Sequence, residues 1–401
     1  MKMLFLTIAG RINDISSRGV YEDLIRKFRD EGHDVYIATP TERRNNERTS
    51  LSNNDGVSFL RIHTLNITQT NPLEKGAATL LIEKQFKKAI SKYFHNVRFD
   101  LILYSTPPVT FAGVIKYIKH RDSALSYLLL KDIFPQNAID LGMIKREGIL
   151  HRHFRKKEKE LYSVSDFIGC MSPANVDFIL KNNPEINPEI VEVNPNSIDP
   201  LDSLINHEHI TEIKEKYKIP GNVTTFIYGG NFGKPQGIDF LLGTLNSYIN
   251  DEKVFFVLAG AGTDYSRLGT WVKERRPNNV LLLYKLPKHE FDLLLQSGDV
   301  GMIFLDKRFT IPNFPSRLLS YLECKIPVIA ATDKNTDLVK IMQENNFGLW
   351  SESGDLEGIR NNINRLSLDN ALRLEMGRRG YEYLKDNYTV EKSYSIIMKH
   401  L

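Results

Sequence analysis

Cysteine is scarce: Cys170 and Cys324 are the only two in 401 residues. Each lies beside apolar residues with no CxxC or Cys/His spacing near it, which supports neither a disulfide framework nor a zinc site and fits a reducing compartment. Long apolar runs are lacking too. No stretch reaches the roughly eighteen apolar residues that a spanning helix needs, and the longest uncharged stretch, Leu101 to Ile115, contains Pro107 and Pro108 and reads as a strand entering a turn and a helix. The opening MKMLFLTIAG is too short for the apolar region of a signal peptide and runs straight into polar RINDISSRG, so it reads as a buried first strand. Also missing are HExxH, GxSxG, DxD, GxGxxG and a Walker A loop, which removes support from metallohydrolase, serine hydrolase and metal-dependent single-sheet transfer chemistry. What remains is 41% hydrophobic and 25% charged, enough to bury a large core and to exclude disorder and fibrous structure.

Net charge of one sign is nearly absent, at +4 from 53 basic and 49 acidic residues. Residues 1–200 hold 28 basic against 24 acidic and the remainder 25 against 25, so the whole excess lies in the first half. Much of it falls between Lys145 and Lys159, with seven Lys/Arg (145, 146, 152, 155, 156, 157, 159) against Glu147 and Glu158, interleaved with His151, His153, Ile149, Leu150 and Phe154. That pattern suits a surface helix drawn to anionic lipid headgroups, with Arg152, Arg155, Lys156 and Lys157 facing the membrane. A solvated helix face is the alternative. No nucleic-acid partner is expected, because the remainder is near neutral and carries no recognised binding motif.

Short apolar runs alternate with helical patterns throughout, which predicts parallel βαβ units. A first series of strands is expected at Lys2–Ile8, Asp34–Thr39, Val57–Arg61, Leu101–Ser105, Ala124–Leu130, Phe167–Met171 and Ile190–Val193. A second follows the polar stretch from about Asp199 to Asn222, at Thr224–Tyr228, Val254–Ala259, Val280–Tyr284, Val300–Phe304 and Val328–Ala331. Strand ends run into small or turn residues, as at Ala9-Gly10, Ser105-Thr106-Pro107, Gly229-Gly230-Asn231 and Gly260-Ala261-Gly262. Such ends are where open α/β sheets bind ligands. The expected fold class is therefore α/β, two Rossmann-like domains facing across a cleft. The boundaries are 1–198 for the first domain and 199–380 for the second, with 381–401 as a helix bracing the first.

Three stretches carry chemistry. In Phe226 to Gly243 a buried strand ends in Gly229 and Gly230, a loop carries Lys234, and a helix starts near Gly237. Glycines let the backbone approach a diphosphate and Lys234 can balance its charge; a tight strand-to-helix turn with a surface lysine is the plainer alternative. At Pro315-Ser316-Arg317 a helix start gathers free N–H groups and a cation, suited to an anionic or hydroxyl-rich ligand or simply to capping. In the first half, Arg18-Gly19-Val20 opens a helix after the first strand, and Lys131-Asp132 ends the apolar strand Leu125–Leu130.

Together these stretches resemble the retaining glycosyltransferases of family four, of GT-B fold, and within them the bacterial capsule and O-antigen subgroup that includes L-fucosamine-type transferases. Gly32-His33-Asp34-Val35 is similar to the family's GHeV, Asp132-Ile133-Phe134-Pro135-Gln136 to DLWPE, Met171-Ser172-Pro173 to LSP and Asn196-Ser197-Ile198-Asp199 to NGVD. Gly230 to Gly237 resembles GNLGRAQG, and Pro315 to Tyr321 resembles PSKLFEY. The resemblance implies transfer of a sugar, N-acetylated or deoxy, from a nucleotide diphosphate (commonly UDP) to a lipid-diphosphate-linked saccharide. It implies no metal and no cofactor beyond the nucleotide-sugar co-substrate, and a peripheral place on the cytoplasmic face of the plasma membrane.

Carried over by position, Lys234, Arg317, Lys131 and Asp132 would be catalytic. Gly19, Gly229, Gly230, Asn231, Lys285, Leu286, Ser316, Ser320 and Glu323 would bind donor, with the base near Leu286. The chain departs from the family where the two-glutamate motif falls on Pro312 and Ser320, leaving Glu323 as a substitute carboxylate, where Lys131 replaces a histidine, and where Gln236 stands in place of a phosphate-binding lysine. Two other readings stay open: a UDP-sugar 2-epimerase of the same fold, and a non-catalytic nucleotide-sugar-binding subunit of a polysaccharide assembly complex.

Overall fold

The computed structural model describes residues 1–8, 12, 14–68, 70–201 and 207–401. The Ala9-Gly10 step and residues 202–206 of the polar stretch lie outside them. The chain divides into two compact units, Met1–Asp199 with Val390–Leu401, and Pro200–Thr389. Residues 381–389 thus belong with the second unit, and the return to the first begins at Val390.

Unit 1 runs β1(Lys2–Leu6), α1(Val20–Asp30), β2(Asp34–Glu42), β3(Ser50–Asn54), β4(Val57–Thr64), α2(Pro72–Tyr93), β5(Leu101–Ser105), α3(Ala112–Asp122), β6(Leu125–Leu130), α4(Gln136–Asp140), α5(Ile149–Val164), β7(Phe167–Cys170), α6(Pro173–Asn182) and β8(Val191–Val193). Its sheet has the order β3-β4-β2-β1-β5-β6-β7-β8, reversing direction of growth between β1 and β5. Met3–Leu6 and Leu101–Tyr104 are at most 1% exposed, as expected of parallel strands covered by helices on both faces. β3 is antiparallel to β4 and was not expected, because SLSNN is polar at almost every position. Its turn is legible: Asp55 and Gly56 both have positive φ, 51° and 76°, the geometry that favours an Asp-Gly hairpin.

Unit 2 runs α7(His207–Tyr217), β9(Thr224–Asn231), α8(Ile238–Asn246), β10(Val254–Ala261), α9(Tyr265–Arg275), β11(Val280–Tyr284), α10(Lys288–Gln296), β12(Val300–Phe304), α11(Arg317–Glu323), β13(Val328–Thr332), α12(Leu338–Asn345), β14(Gly348–Glu352), α13(Leu356–Leu368) and α14(Asn370–Asn387). The order β11-β10-β9-β12-β13-β14, all parallel, is the doubly wound arrangement with its switch point between β9 and β12. β14 is not among the expected strands: it is a short edge strand whose GLWSE is only partly buried and carries no continuous apolar run. After Thr389 the last helix, α15(Val390–Met398), packs in unit 1. There Ser393 donates to Asn194 Oδ1 at 2.7 Å and Tyr394 pairs with His33 Nε2 at 2.9 Å.

Candidate active site

The switch point of unit 2 gathers a compact group. β9 ends in Gly229 and Gly230, and each glycine is dictated by space. A Cβ on Gly229 would sit 2.4 Å from Phe291 Cζ, while Gly230 has φ +121°. Next to them, a Cβ on Gly260 would fall 1.8 Å from the Gly230 carbonyl oxygen, so the ends of β9 and β10 pack backbone on backbone.

Arg317, the first residue of α11, turns its guanidinium onto this spot. It lies 4.3 Å from the Tyr228 ring centroid, and its Nη2 donates to Gln236 Oε1 at 2.7 Å. A Cβ at Gly230 would lie 3.5 Å from that same Nη2. Its Nη1 is buried without a hydrogen-bond partner among the described residues. Burial opposes the charge, but the Tyr228 and Tyr321 hydroxyls outweigh it and hold the guanidinium protonated. A buried, charged donor with nothing to donate to costs free energy unless an anion meets it.

Tyr228 and Tyr321 build the surround. Tyr228 donates to the Asn231 carbonyl at 2.8 Å and lies 3.2 Å from Gln236 Oε1. Tyr321 donates to the Met302 carbonyl and accepts from the Gly229 N–H. Neither tyrosine is among the expected site residues, although Tyr228 stands directly before the glycine pair, and Gln236 is expected only as the replacement of a phosphate-binding lysine. Lys234 is exposed on the short turn Lys234–Gln236. That turn is pinned by a hydrogen bond from the Asp306 N–H to the Pro235 carbonyl at 2.9 Å. Asn231 is exposed, as is Ser316, which precedes Arg317 and makes no side-chain cap.

Other expected residues sit at neighbouring strand ends. Lys285 has φ +26° and donates its N–H to the Gly260 carbonyl at 3.1 Å, so Lys285-Leu286 borders the glycine loop. The exposed Tyr284 ring stands just before them, edge-on to Tyr265 at 4.9 Å. Ser320 is half-buried one turn along α11. Glu323 is not brought to this group: it is buried, and its Oε1 accepts from the Leu201 N–H at 3.1 Å.

At the C-terminal ends of the unit 1 strands, Thr106 Oγ1 accepts from the N–H groups of Lys131 and Asp132 at 3.0 and 3.1 Å. This orders the turn after β6. Burial pushes Lys131 down to about 7 while its Nζ donates to the Asn194 carbonyl at 3.2 Å. Burial likewise pushes Asp132 up to about 6, and Asn137 Nδ2 donates to both of its oxygens at 2.7 and 2.8 Å. Two oppositely charged groups drawn toward neutral pH at adjacent positions suit proton handling. Gly19 precedes α1 in extended geometry, and its N–H donates to Asp23 Oδ1 at 3.0 Å.

Of the four cations expected to face a membrane, the structure leaves Arg152 and Lys156 at the surface. The other two are turned inward. Arg155 holds Glu158, the Asn182 carbonyl and Asn183, and Lys157 holds Glu160 at 2.9 Å. The two lie about 200° apart around α5, and a carboxylate compensates each charge, Glu158 for Arg155 and Glu160 for Lys157. No helix among the described residues is long and apolar enough to cross a membrane.

Residues 209–383 match the family model described as glycosyl transferases group 1. A probable glycosyltransferase WbjE of Pseudomonas aeruginosa is 23% identical over 266 residues, covering 63% of this chain and 62% of that protein. The sucrose-phosphate synthase of Thermosynechococcus elongatus superposes over 100% of this chain and 98% of its own, with a TM-score of 0.76 at 15% identity. HepE of Anabaena in complex with UDP and glucose does so over 100% and 99%, with a TM-score of 0.71 at 14% identity. The chain therefore has the GT-B fold of two Rossmann-like domains, and its match to glycosyl transferases group 1 falls inside the second unit.

Proposed function

We propose that the chain is a retaining, metal-independent glycosyltransferase that moves a sugar from a nucleotide diphosphate, UDP first among them, to a saccharide carried on a lipid diphosphate. The reading places it in the assembly of capsule, O-antigen or exopolysaccharide, at the cytoplasmic face of the membrane. The observation that carries it is Arg317: a buried guanidinium stacked on Tyr228, aimed at Gly230, with one N–H donor unpaired. A diphosphate laid along Gly229-Gly230 would satisfy that donor, and Lys234 would reach it from the exposed turn. The UDP bound by HepE on the same fold favours that nucleotide.

The chemistry then asks little of a protein nucleophile. As the sugar–oxygen bond breaks, negative charge grows on the departing diphosphate, and preorganised donors at Arg317, Lys234 and the glycine backbone stabilise it. The acceptor hydroxyl attacks from the same face and passes its proton to the leaving diphosphate. On unit 1, Asp132 and Lys131 would position the acceptor.

The test is thermal stabilisation by UDP, GDP, ADP, CMP and dTDP without added metal, since a ligand that binds the folded state raises the melting temperature. Selective stabilisation by UDP is expected, followed by transfer from a UDP-sugar. Silence across the panel would refute the reading. A second reading, nucleotide-sugar binding without transfer, draws on one observation: Pro312 and Ser320 occupy the family's glutamate positions while Glu323 is engaged with Leu201. Stabilisation by UDP with no turnover over donors and acceptors would favour it.

A further inference from the structure

The densest charge on unit 1 lies apart from the strand ends. Residues 143–156 hold five Lys/Arg (145, 146, 152, 155, 156) against Glu147 alone, an excess of four that equals the net charge of the whole chain. Arg155 is engaged internally. Lys145, Arg146 and Arg152 are exposed with no carboxylate partner among the described residues. Lys156 is 77% exposed, and its nearest carboxylate oxygen, on Glu160, is 4.0 Å away. Beside these cations Met143, Ile149 and Leu150 are 56%, 88% and 59% exposed.

The two features share one face. Ile149, Arg152, Lys156, Lys159 and Ser163 recur at alternating steps of three and four along α5, which puts them on a single stripe. The cations of that stripe line a trough of about 620 Å³ that Glu147, Glu160 and Glu185 also border, and Lys159 pairs with Glu185 there at 2.8 Å, which leaves Arg152 and Lys156 as its uncompensated cations. The helix thus presents an apolar tip followed by a basic furrow. A nucleic acid or a soluble polyanion would use the furrow and leave three apolar side chains in water. A bilayer with anionic headgroups uses both, because apolar groups enter the headgroup boundary while cations meet phosphate.

We propose that this face is a docking surface for an anionic bilayer, in which Met143, Ile149 and Leu150 enter the headgroup layer and Arg152 and Lys156 hold a lipid phosphate. It deepens the lipid-linked reading of the acceptor and rests on that reading for its purpose, though not for its test. Phosphate is the recognised chemistry, and it could come from a lipid headgroup or from a free diphosphate.

The experiment sediments the purified protein with vesicles of phosphatidylcholine alone and of phosphatidylcholine with phosphatidylglycerol, at low and high salt, and then with inorganic diphosphate as competitor. The native chain is expected to bind the anionic vesicles at low salt and to leave phosphatidylcholine alone in the supernatant. Each cation removed in R152A and R152A/K156A should lower partitioning about fivefold, the equivalent of about 1 kcal/mol per charge near the surface. I149S/L150S should lower it at low and high salt alike. Indifference to anionic vesicles at low salt, equal binding to phosphatidylcholine, or release by diphosphate well below the ionic strength that releases it as salt would each overturn the proposal. Stabilisation by UDP, measured on the same variants, is expected unchanged and reports folding. Failure of the native chain to bind anionic vesicles while UDP still stabilises it overturns the docking surface alone, and vesicle binding without nucleotide binding overturns the transferase reading alone.

Discussion

Replacing Arg317 by methionine separates what the guanidinium does for folding from what it does for a ligand. The lost terms are the stacking on Tyr228 at 4.3 Å, about 1–2 kcal/mol for a desolvated cation over a ring, and the bond to Gln236, about 1.5–3 kcal/mol for a charged donor. The relieved term is the buried, unpaired Nη1, which costs about 1–3 kcal/mol or more for a charged group. Gln236 keeps Tyr228 at 3.2 Å, and methionine refills the stem's volume. Folding stability should therefore fall by about 2 kcal/mol, the middle of a range from about zero to about 4, and for a unit of this size that middle value is roughly 4–8 °C in melting temperature. Toward a diphosphate the balance is one-sided: a preorganised charged donor is gone, and removal of one such donor typically costs about 10²–10³ in turnover. R317M should melt near the native temperature yet show little UDP stabilisation and at least about a hundredfold lower kcat/KM. A strongly destabilised R317M whose folded fraction binds UDP normally would refute the assignment and make Arg317 a structural strut.

The glycine contact predicts a different outcome: G260A places a methyl 1.8 Å from the Gly230 carbonyl at φ +158°, so urea melts should show unit 2 destabilised by about 3 kcal/mol. The half-buried pair after β6 predicts a pH dependence. The raised Asp132 retains its proton when the unfolded carboxyl has lost it, so stability falls as pH rises from about 4 to 6, by up to roughly 3 kcal/mol. Lowered Lys131 does the reverse, and stability rises with pH above about 7. D132N should flatten the first limb and K131M the second in melts across pH. N137A removes two donors that favour the ionised Asp132, so the acid limb of kcat/KM should move to higher pH by about one unit; an unmoved limb would remove Asp132 from the proton inventory.

The buried strands were legible because parallel strands covered on both faces must be apolar, as LFL of β1 and LILY of β5 are. The edge strands were not. β3 is paired through its backbone and exposes its side chains, so SLSNN carries no periodic signal, although its Asp55-Gly56 turn did. Within the site, Gly230, Lys234 and Arg317 stood out as residue types whose presence needs a reason. Tyr228 and Gln236 did not, because what each does depends on which distant residue meets it: Gln236 reaches Arg317 across eighty-one positions, a pairing no spacing rule anticipates. Glu323 shows the converse. Its place on the helix was readable, but its partner Leu201 was not. Arg155 and Lys157 likewise read as surface cations until the carboxylates beside them were located.

The return of the chain at Val390 has a consequence for the order of assembly. Unit 1 is discontinuous: its first 199 residues are made early, but α15 follows only after the whole of unit 2 has been synthesised. Until then Val390 and Ile397, which close its core, are missing, and so are the partners of Asn194, His33 and Glu192. Unit 2 is an insertion with both its ends in hand and can fold as soon as it is complete. Unit 2 thus has the means to form before unit 1 is sealed, and removing residues 390–401 would strike the older segment of chain while sparing the younger.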